Sequence, residues 1–216
     1  MKSNIILIGM PAAGKSTIGV LLAKSLLKSF VDTDLIIQSE YRCGLCDIIE
    51  KEGTDAFLKI ENDVILSQDY LSSVIATGGS AVYGKEAMAY LQKNGVVVYL
   101  KLSLGEIEKR IGNIHTRGVA MKNGSTLSEL FTERTPLYNK YADITVTCDG
   151  KTAEETVEEI VGKLGVRSYR EFSLAKNNPS PTNKDSSKIK SRLTVKSSLL
   201  FLHLKGMNCK CGLSLT

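Results

Sequence analysis

The stretch Gly9-Met10-Pro11-Ala12-Ala13-Gly14-Lys15-Ser16-Thr17 has the clearest capacity for chemistry in this chain. Its G-x-x-x-x-G-K-S spacing is that of a phosphate-binding loop. Gly9 and Gly14 let the backbone curl so that successive N–H groups, those of Ala12 and Ala13 among them, turn toward an anion. The helix that opens at this point adds the positive end of its dipole. Lys15 can reach the β- and γ-phosphates of a nucleotide, and the Ser16 hydroxyl can ligate Mg²⁺, with Thr17 closing the motif. A chance Gly-rich turn would lack the flanking strand and helix that both stand here. The motif itself does not say what receives the phosphate.

Phosphoryl transfer also needs charge neutralisation and a group that positions the nucleophile. Asp32 and Asp34, two apart at a strand end, can supply the Mg²⁺ shell and an acceptor contact or base. The plainer alternative is that Asp34 caps the helix that follows it, and both roles can coexist. Gly78-Gly79 after a later strand permits close backbone approach to a ligand, or is an ordinary tight turn. Three arginines are candidates. Arg110 lies among Glu106, Glu108 and Lys109, where a solvated helix face explains it nearly as well. Arg117 falls in a polar stretch where a lid residue would cover phosphates. Arg134, expected at a helix end just before Thr135-Pro136, can bind a carboxylate through its fork geometry. Cys43-x-x-Cys46 could join Cys209, Cys211 and His203 in a zinc site, although packing of Cys46 beside Ile48 and Ile49 is the simpler account.

The elements that must position these residues follow from periodicity. Asn4 to Ile8 reads as a buried strand, and Ile18, Leu21, Leu22 and Leu26 recur at helical spacing. Residues 30–34 read as a second strand that includes both acids. Short helices are expected over 34–41 and 46–52, and a longer one over 54–70 with Phe57, Ile60 and Val64 on one face. Strands over 73–77, 96–101 and 143–148 alternate with helices. Capping boxes are expected at Ser103/Glu106, Thr126/Glu129 and Thr152/Glu155. Pro136 is expected to limit or kink its helical region. Residues 113–125 lack periodicity and read as a mobile lid. Alternating strands and helices imply an α/β fold with a parallel sheet covered on both faces. Ligands then bind outside the carboxyl ends of the strands, where the loop, Asp32/Asp34 and Gly78-Gly79 would gather.

Charge is uneven along the 216 residues. Residues 1–166 hold 18 Lys+Arg against 21 Asp+Glu, whereas residues 167–216 hold 10 against 2. The basic balance therefore belongs to the tail, whose Ser, Asn, Lys and Pro content reads as disordered. Its patch Leu199–Leu204 is too short to span a bilayer, and anchoring to an anionic surface or binding to nucleic acid is the less favoured use. Five cysteines, an odd number, with a strand opening almost at the first residue, point to reduced thiols, no signal or transit segment, and a cytoplasmic protein.

Taken together, residues 4 to about 164 resemble the shikimate kinase family, a branch of the nucleoside monophosphate kinase fold. The resemblance rests on Gly9–Thr17, Asp32-Thr33-Asp34, Phe57 through Glu61, Gly78-Gly79, Arg110, Arg117 and Arg134-Thr135-Pro136-Leu137-Tyr138. It implies a three-layer P-loop kinase with a five-stranded parallel sheet and a mobile lid. Ser16 would ligate Mg²⁺ and Asp32 hold it through water. Asp34 would contact acceptor hydroxyls, and the Gly78-Gly79 backbone the substrate. Arg110 would lie on the adenine side, Arg117 over the phosphates, and Arg134 on a carboxylate. Three positions depart: Leu58 stands where the family has a second substrate arginine, Ser80 replaces a third glycine, and Gly118 follows the lid arginine in place of proline. The expectation is an ATP- and Mg²⁺-dependent kinase of a shikimate hydroxyl, over residues 1–165, with 166–216 as the tail. A kinase for another small hydroxylated metabolite or a nucleotide, or a nucleotide-binding regulatory module, is the alternative. The expected partner is a small-molecule acceptor, with no membrane or nucleic acid, and a monomeric chain.

Overall fold

The computed structural model describes residues 3–111, 118–121 and 124–168. Five strands form one parallel sheet in the order β2-β3-β1-β4-β5. They are β1 (Asn4–Ile8), β2 (Ser29–Asp32), β3 (Ser73–Ala76), β4 (Gly95–Lys101) and β5 (Ile144–Thr147). All five residues of β1 are buried, as a central strand covered on both faces requires. Between the strands run α1 (Lys15–Leu26), α2 (Thr33–Tyr41), α3 (Leu45–Glu52), α4 (Thr54–Ser67), a 3₁₀ turn (Ala81–Tyr83), α5 (Lys85–Asn94), α6 (Leu104–Ile111), α7 (Leu127–Tyr141) and α8 (Ala153–Leu164). Helix α1 packs on α8, and α4 on α5. Among the described residues no helix is long and apolar enough to cross a membrane.

Strand register gathers the chemistry. Leu7 pairs with Ala76 and Ala76 with Asp32, so β1, β3 and β2 end side by side. The loop after β1, the turn after β3 and the start of α2 therefore open on one sheet edge.

Several expectations need correction. Strand β2 stops at Asp32, and Thr33 and Asp34 are already helical. The cap of α2 is Asp32, not Asp34: its Oδ1 accepts the Asp34 N–H at 3.0 Å. Helix α4 ends at Ser67 rather than Tyr70, and its buried face carries Phe57, Glu61, Val64 and Ile65, with Ile60 only half-buried. The Ser103 box is half made, because the Ser103 N–H donates to Asp149 at 3.0 Å instead of to Glu106. The boxes at Thr126/Glu129 and Thr152/Glu155 are complete. Helix α7 runs through Pro136 to Tyr141. Pro136 lacks the N–H that would bond Thr132, but both residues are exposed and water can serve that carbonyl.

Of the expected lid, residues 113–117 and 122–123 lie outside the described ones. The described part is anchored: Ala120 is buried, and Met121 O accepts from Thr54 Oγ1 at 3.2 Å. Leu58 packs with Ile37, Ile48, Phe57, Val64 and Ala120 in a small apolar cluster. Among the described residues no group of His, Cys, Asp and Glu could hold a metal by itself. Cys43 is exposed, Cys46 half-buried, and the other half of the expected zinc site, with most of the tail, lies outside the described residues.

Candidate active site

Gly14 sets the loop's last corner at φ 88°, a left-handed conformation natural to glycine. It also serves as the N-cap of α1, and no side chain caps that helix. The first-turn N–H groups are therefore left for an anion. Ala12 is held at φ 63°, left-handed without being glycine, a strain of the kind that functional loops store. The Lys15 ammonium lies back along the loop, donating to Gly9 O at 2.8 Å and Met10 O at 3.0 Å. Burial pushes its pKa down to about 8, against the pull of Asp34 and Asp32.

Asp32 does two jobs. While Oδ1 caps α2, Oδ2 accepts the Ser16 hydroxyl at 2.6 Å. Asp34 is thereby freed from capping and faces the cavity. Burial raises its carboxyl to about 6, even though Lys15 opposes the rise.

The opposite wall comes from α7. Arg134 and Tyr138 lie four apart, on one helix face. Arg134 is 1% exposed. Its Nη2 donates to Ala120 O, its Nε donates to Tyr83 Oη at 3.3 Å, and the guanidinium lies 5.2 Å from the Tyr83 ring centroid. Tyr138 donates its hydroxyl to Gly79 O at 2.7 Å and stacks on Tyr99, fixing the turn after β3. On the turn's other side, the Gly78 N–H donates to Thr33 Oγ1 at 3.1 Å.

These groups line one cavity of about 480 Å³, within the range of small-molecule sites. Ala12, Gly14, Lys15, Ser16 and Thr17 form one side. Asp34, Gly78, Gly79 and Arg134 form the other, and Arg110 reaches the rim. Arg110 also pairs with Glu106 at 3.8 Å. Asp32 stands behind Ser16 rather than on the wall. Gly9 and Ala13 lie beneath the loop: Ala13 is buried in the core, and its N–H is taken by Met10 O at 3.1 Å. Arg117 is outside the described residues.

Inspection of the motif spacing alone misses Glu61, which is 1% exposed behind Gly78. The signal available was a carboxylate in phase with the apolar positions Phe57, Val64 and Ile65 of one helix. It also misses Tyr83, which holds Arg134, and gives no role to Tyr138 of the Arg134–Tyr138 motif, which holds the Gly79 turn.

Residues 11–165 match the family model described as shikimate kinase. The shikimate kinase of Nitrosomonas europaea is 36% identical over 190 residues, spanning 82% of this chain and 84% of that protein. The shikimate kinase of Vibrio parahaemolyticus is 36% identical over 170 residues, spanning 77% and 98%. Among solved structures, the shikimate kinase of Acinetobacter baumannii in complex with shikimate superposes with a TM-score of 0.68 at 30% identity, covering 75% of this chain and 92% of that one. That of Aquifex aeolicus superposes with a TM-score of 0.65 at 32% identity, covering 75% and 96%. The chain belongs to the shikimate kinase family.

Proposed function

From that membership we propose that the protein transfers the γ-phosphoryl group of ATP to a hydroxyl of shikimate, giving the phosphate ester and ADP. The observation that carries the reading is the meeting of a phosphate loop with half-buried Asp34 and buried Arg134 across one cavity. A carboxylate bound by Arg134 would orient the acceptor ring so that a hydroxyl falls to Asp34. Ionised at neutral pH, Asp34 is poised to accept that hydroxyl's hydrogen bond and take its proton. Lys15 and the N-terminus of α1 would hold the β- and γ-phosphates, with Arg110 toward the base and Arg117 over the phosphates. Most of the catalysis is then positioning and charge stabilisation.

The donor set also suits Mg²⁺, since Ser16 Oγ and Asp32 Oδ2 are hard oxygens set side by side below the phosphate loop. When bound there, the ion would neutralise charge on the phosphate oxygens. Residues 1–165 would form the catalytic unit, acting as a monomer on a free small molecule. Cys43 and Cys148 are free thiols, in keeping with a cytoplasmic setting.

The test is a coupled ADP-release assay over shikimate, other hydroxy acids and nucleoside monophosphates. Shikimate is expected to give the highest kcat/KM, with no ADP release in its absence. A nucleoside monophosphate or another hydroxy acid turning over well while shikimate does not would overturn the reading.

A further inference from the structure

Among the described residues Glu61 is the one strongly buried acid that the mechanism above leaves idle. Its two carboxylate oxygens are inaccessible and complete no hydrogen bond. A buried acid in that state is costly when charged, and far less so when it keeps a proton. Gly78 explains how close it comes to the acceptor site. A Cβ on Gly78 would lie 2.0 Å from Glu61 Oε1 and 2.8 Å from Asp34 Oδ1. The two acids thus face each other across a residue that must remain glycine.

The groups that face Glu61 can be taken element by element. Asp34 comes from α2, Lys15 from the end of the phosphate loop, Arg134 and Tyr138 from α7, and Ser80 from the turn after β3. Helix α3 meets α4 through Ile48, with the Asp47 carboxylate engaged by its own Gly44 N–H at 3.1 Å. Helix α5 meets α4 through Ala87 N–H and Asn62 Oδ1, 3.2 Å apart. Three residues before Glu61 on the same helix stands Leu58, which brings no cation.

We propose that Glu61 is a charge-setting positioning residue, whose buried carboxyl holds a proton in the working enzyme and so keeps the acceptor pocket cationic for an anionic substrate. This rests on the reading that shikimate, a carboxylate, is the acceptor. With Glu61 neutral, Asp34, Lys15 and Arg134 sum to one positive charge. With Glu61 ionised they sum to zero, and Asp34 gains a like-charged neighbour. Burial, followed by the charge of Asp34, raises Glu61 to about 7, so the two states exchange near neutrality. Binding of an anionic acceptor favours the cationic state and takes up a proton from solvent.

The experiment follows acceptor KM and kcat separately against pH, in the full-length wild type and in Glu61→Gln. In the wild type, shikimate KM is expected to rise by about tenfold or more from about pH 6 to about pH 9, with the ATP KM following a different midpoint. Glu61→Gln, isosteric with the protonated acid, is expected to lose the rise centred near pH 7 and to keep only the part that follows Lys15 near pH 8. An equal rise at the same midpoint in Glu61→Gln would assign the titration to Lys15 and overturn the proposal. Infrared spectroscopy of the ligand-free wild type provides the arm that needs no acceptor. Beyond the protonated-carboxyl band of Asp34, which bleaches near pH 6, a second C=O band should bleach near pH 7 and be missing from Glu61→Gln. A protein that phosphorylates no shikimate but shows that band would refute the acceptor while keeping the protonated Glu61. A Glu61 already ionised at about pH 6 would refute the proton itself, whatever the acceptor.

Discussion

The two walls of the cavity are built on different principles. The phosphate wall is contiguous in sequence and acts largely through backbone: a loop, a helix N-terminus and one lysine, all between Gly9 and Thr17. The acceptor wall is assembled from side chains of α2, α4 and α7 and from a turn that two of those helices hold. Backbone amides tolerate change around them, because their direction is set by φ and ψ. A wall made of side chains changes its chemistry with each substitution. The three positions at which the sequence resemblance is broken lie away from the phosphate loop: Ser80 and Gly118 line the cavity and Leu58 packs behind it, while the loop keeps the full motif.

That contrast can be broken most sharply at Lys15. Lys15→Met should lower kcat by about 10²–10³-fold with the melting temperature little changed, since Lys15 serves phosphates rather than the core. Unchanged turnover by the folded variant would remove the phosphate wall from the mechanism. On the other wall the expected change is a gain. Leu58→Arg adds a charge-assisted hydrogen bond worth about 1.5–3 kcal/mol, so shikimate kcat/KM should rise roughly 10- to 150-fold. A fall would show that the apolar cluster around Leu58 serves an acceptor of different shape.

Gly78→Ala probes the close approach behind that wall. Its methyl group would meet Glu61 Oε1, so a stability loss of about 1–3 kcal/mol is expected, measured by urea denaturation. Glu61→Ala should recover part of it in the double mutant.

Smaller still is a dependence of stability on pH. Asp34 and Glu61 are raised to about 6 and about 7, above their unfolded values of 3.8 and 4.5. The folded state therefore holds protons that the unfolded state has released. Their contribution is complete below the unfolded values and is lost as pH rises through the folded ones, with a slope of at most about 1.4 kcal/mol per pH unit for each group. Lys15, lowered to about 8 from 10.5, acts in the opposite sense: stability rises between those values, as the unfolded chain holds the extra proton. Denaturation curves should show the slope between about pH 4.5 and 7 shrinking in Glu61→Gln, and a slope equal to that of the wild type would contradict the burial assigned to Glu61. Smallest of all, truncation after Val166 should leave the melting temperature and turnover nearly unchanged; a large fall in either would place the tail within the catalytic unit.

What was legible in the sequence follows the same division. Strand β1, the phosphate loop and α1 could be read because each is local: a run, a spacing and a period. The acceptor wall was read only in part. Arg134 was found, but Pro136 was expected to limit or kink its helical region, and the helix runs on through it where the orphaned carbonyl of Thr132 faces water. The cap, offered to Asp34 as the plainer alternative, belongs to Asp32, because which acid caps depends on where the strand stops. Glu61 carried only its phase with Phe57, Val64 and Ile65 as a mark of burial; its closeness to Asp34 comes from the meeting of α2, α4 and the turn after β3.

The central claim is that one cavity binds ATP phosphates on Ala12 and residues 14–17 and a shikimate carboxylate on Arg134, with the reacting hydroxyl at Asp34. A crystal structure of the complex with shikimate and ADP tests this most directly. The account predicts the carboxylate on the Arg134 guanidinium, a ring hydroxyl within hydrogen-bond distance of Asp34, and the ADP phosphates on the loop. Shikimate seated with its carboxylate away from Arg134, or a cavity that takes ADP and leaves shikimate out at saturating concentration, would contradict it.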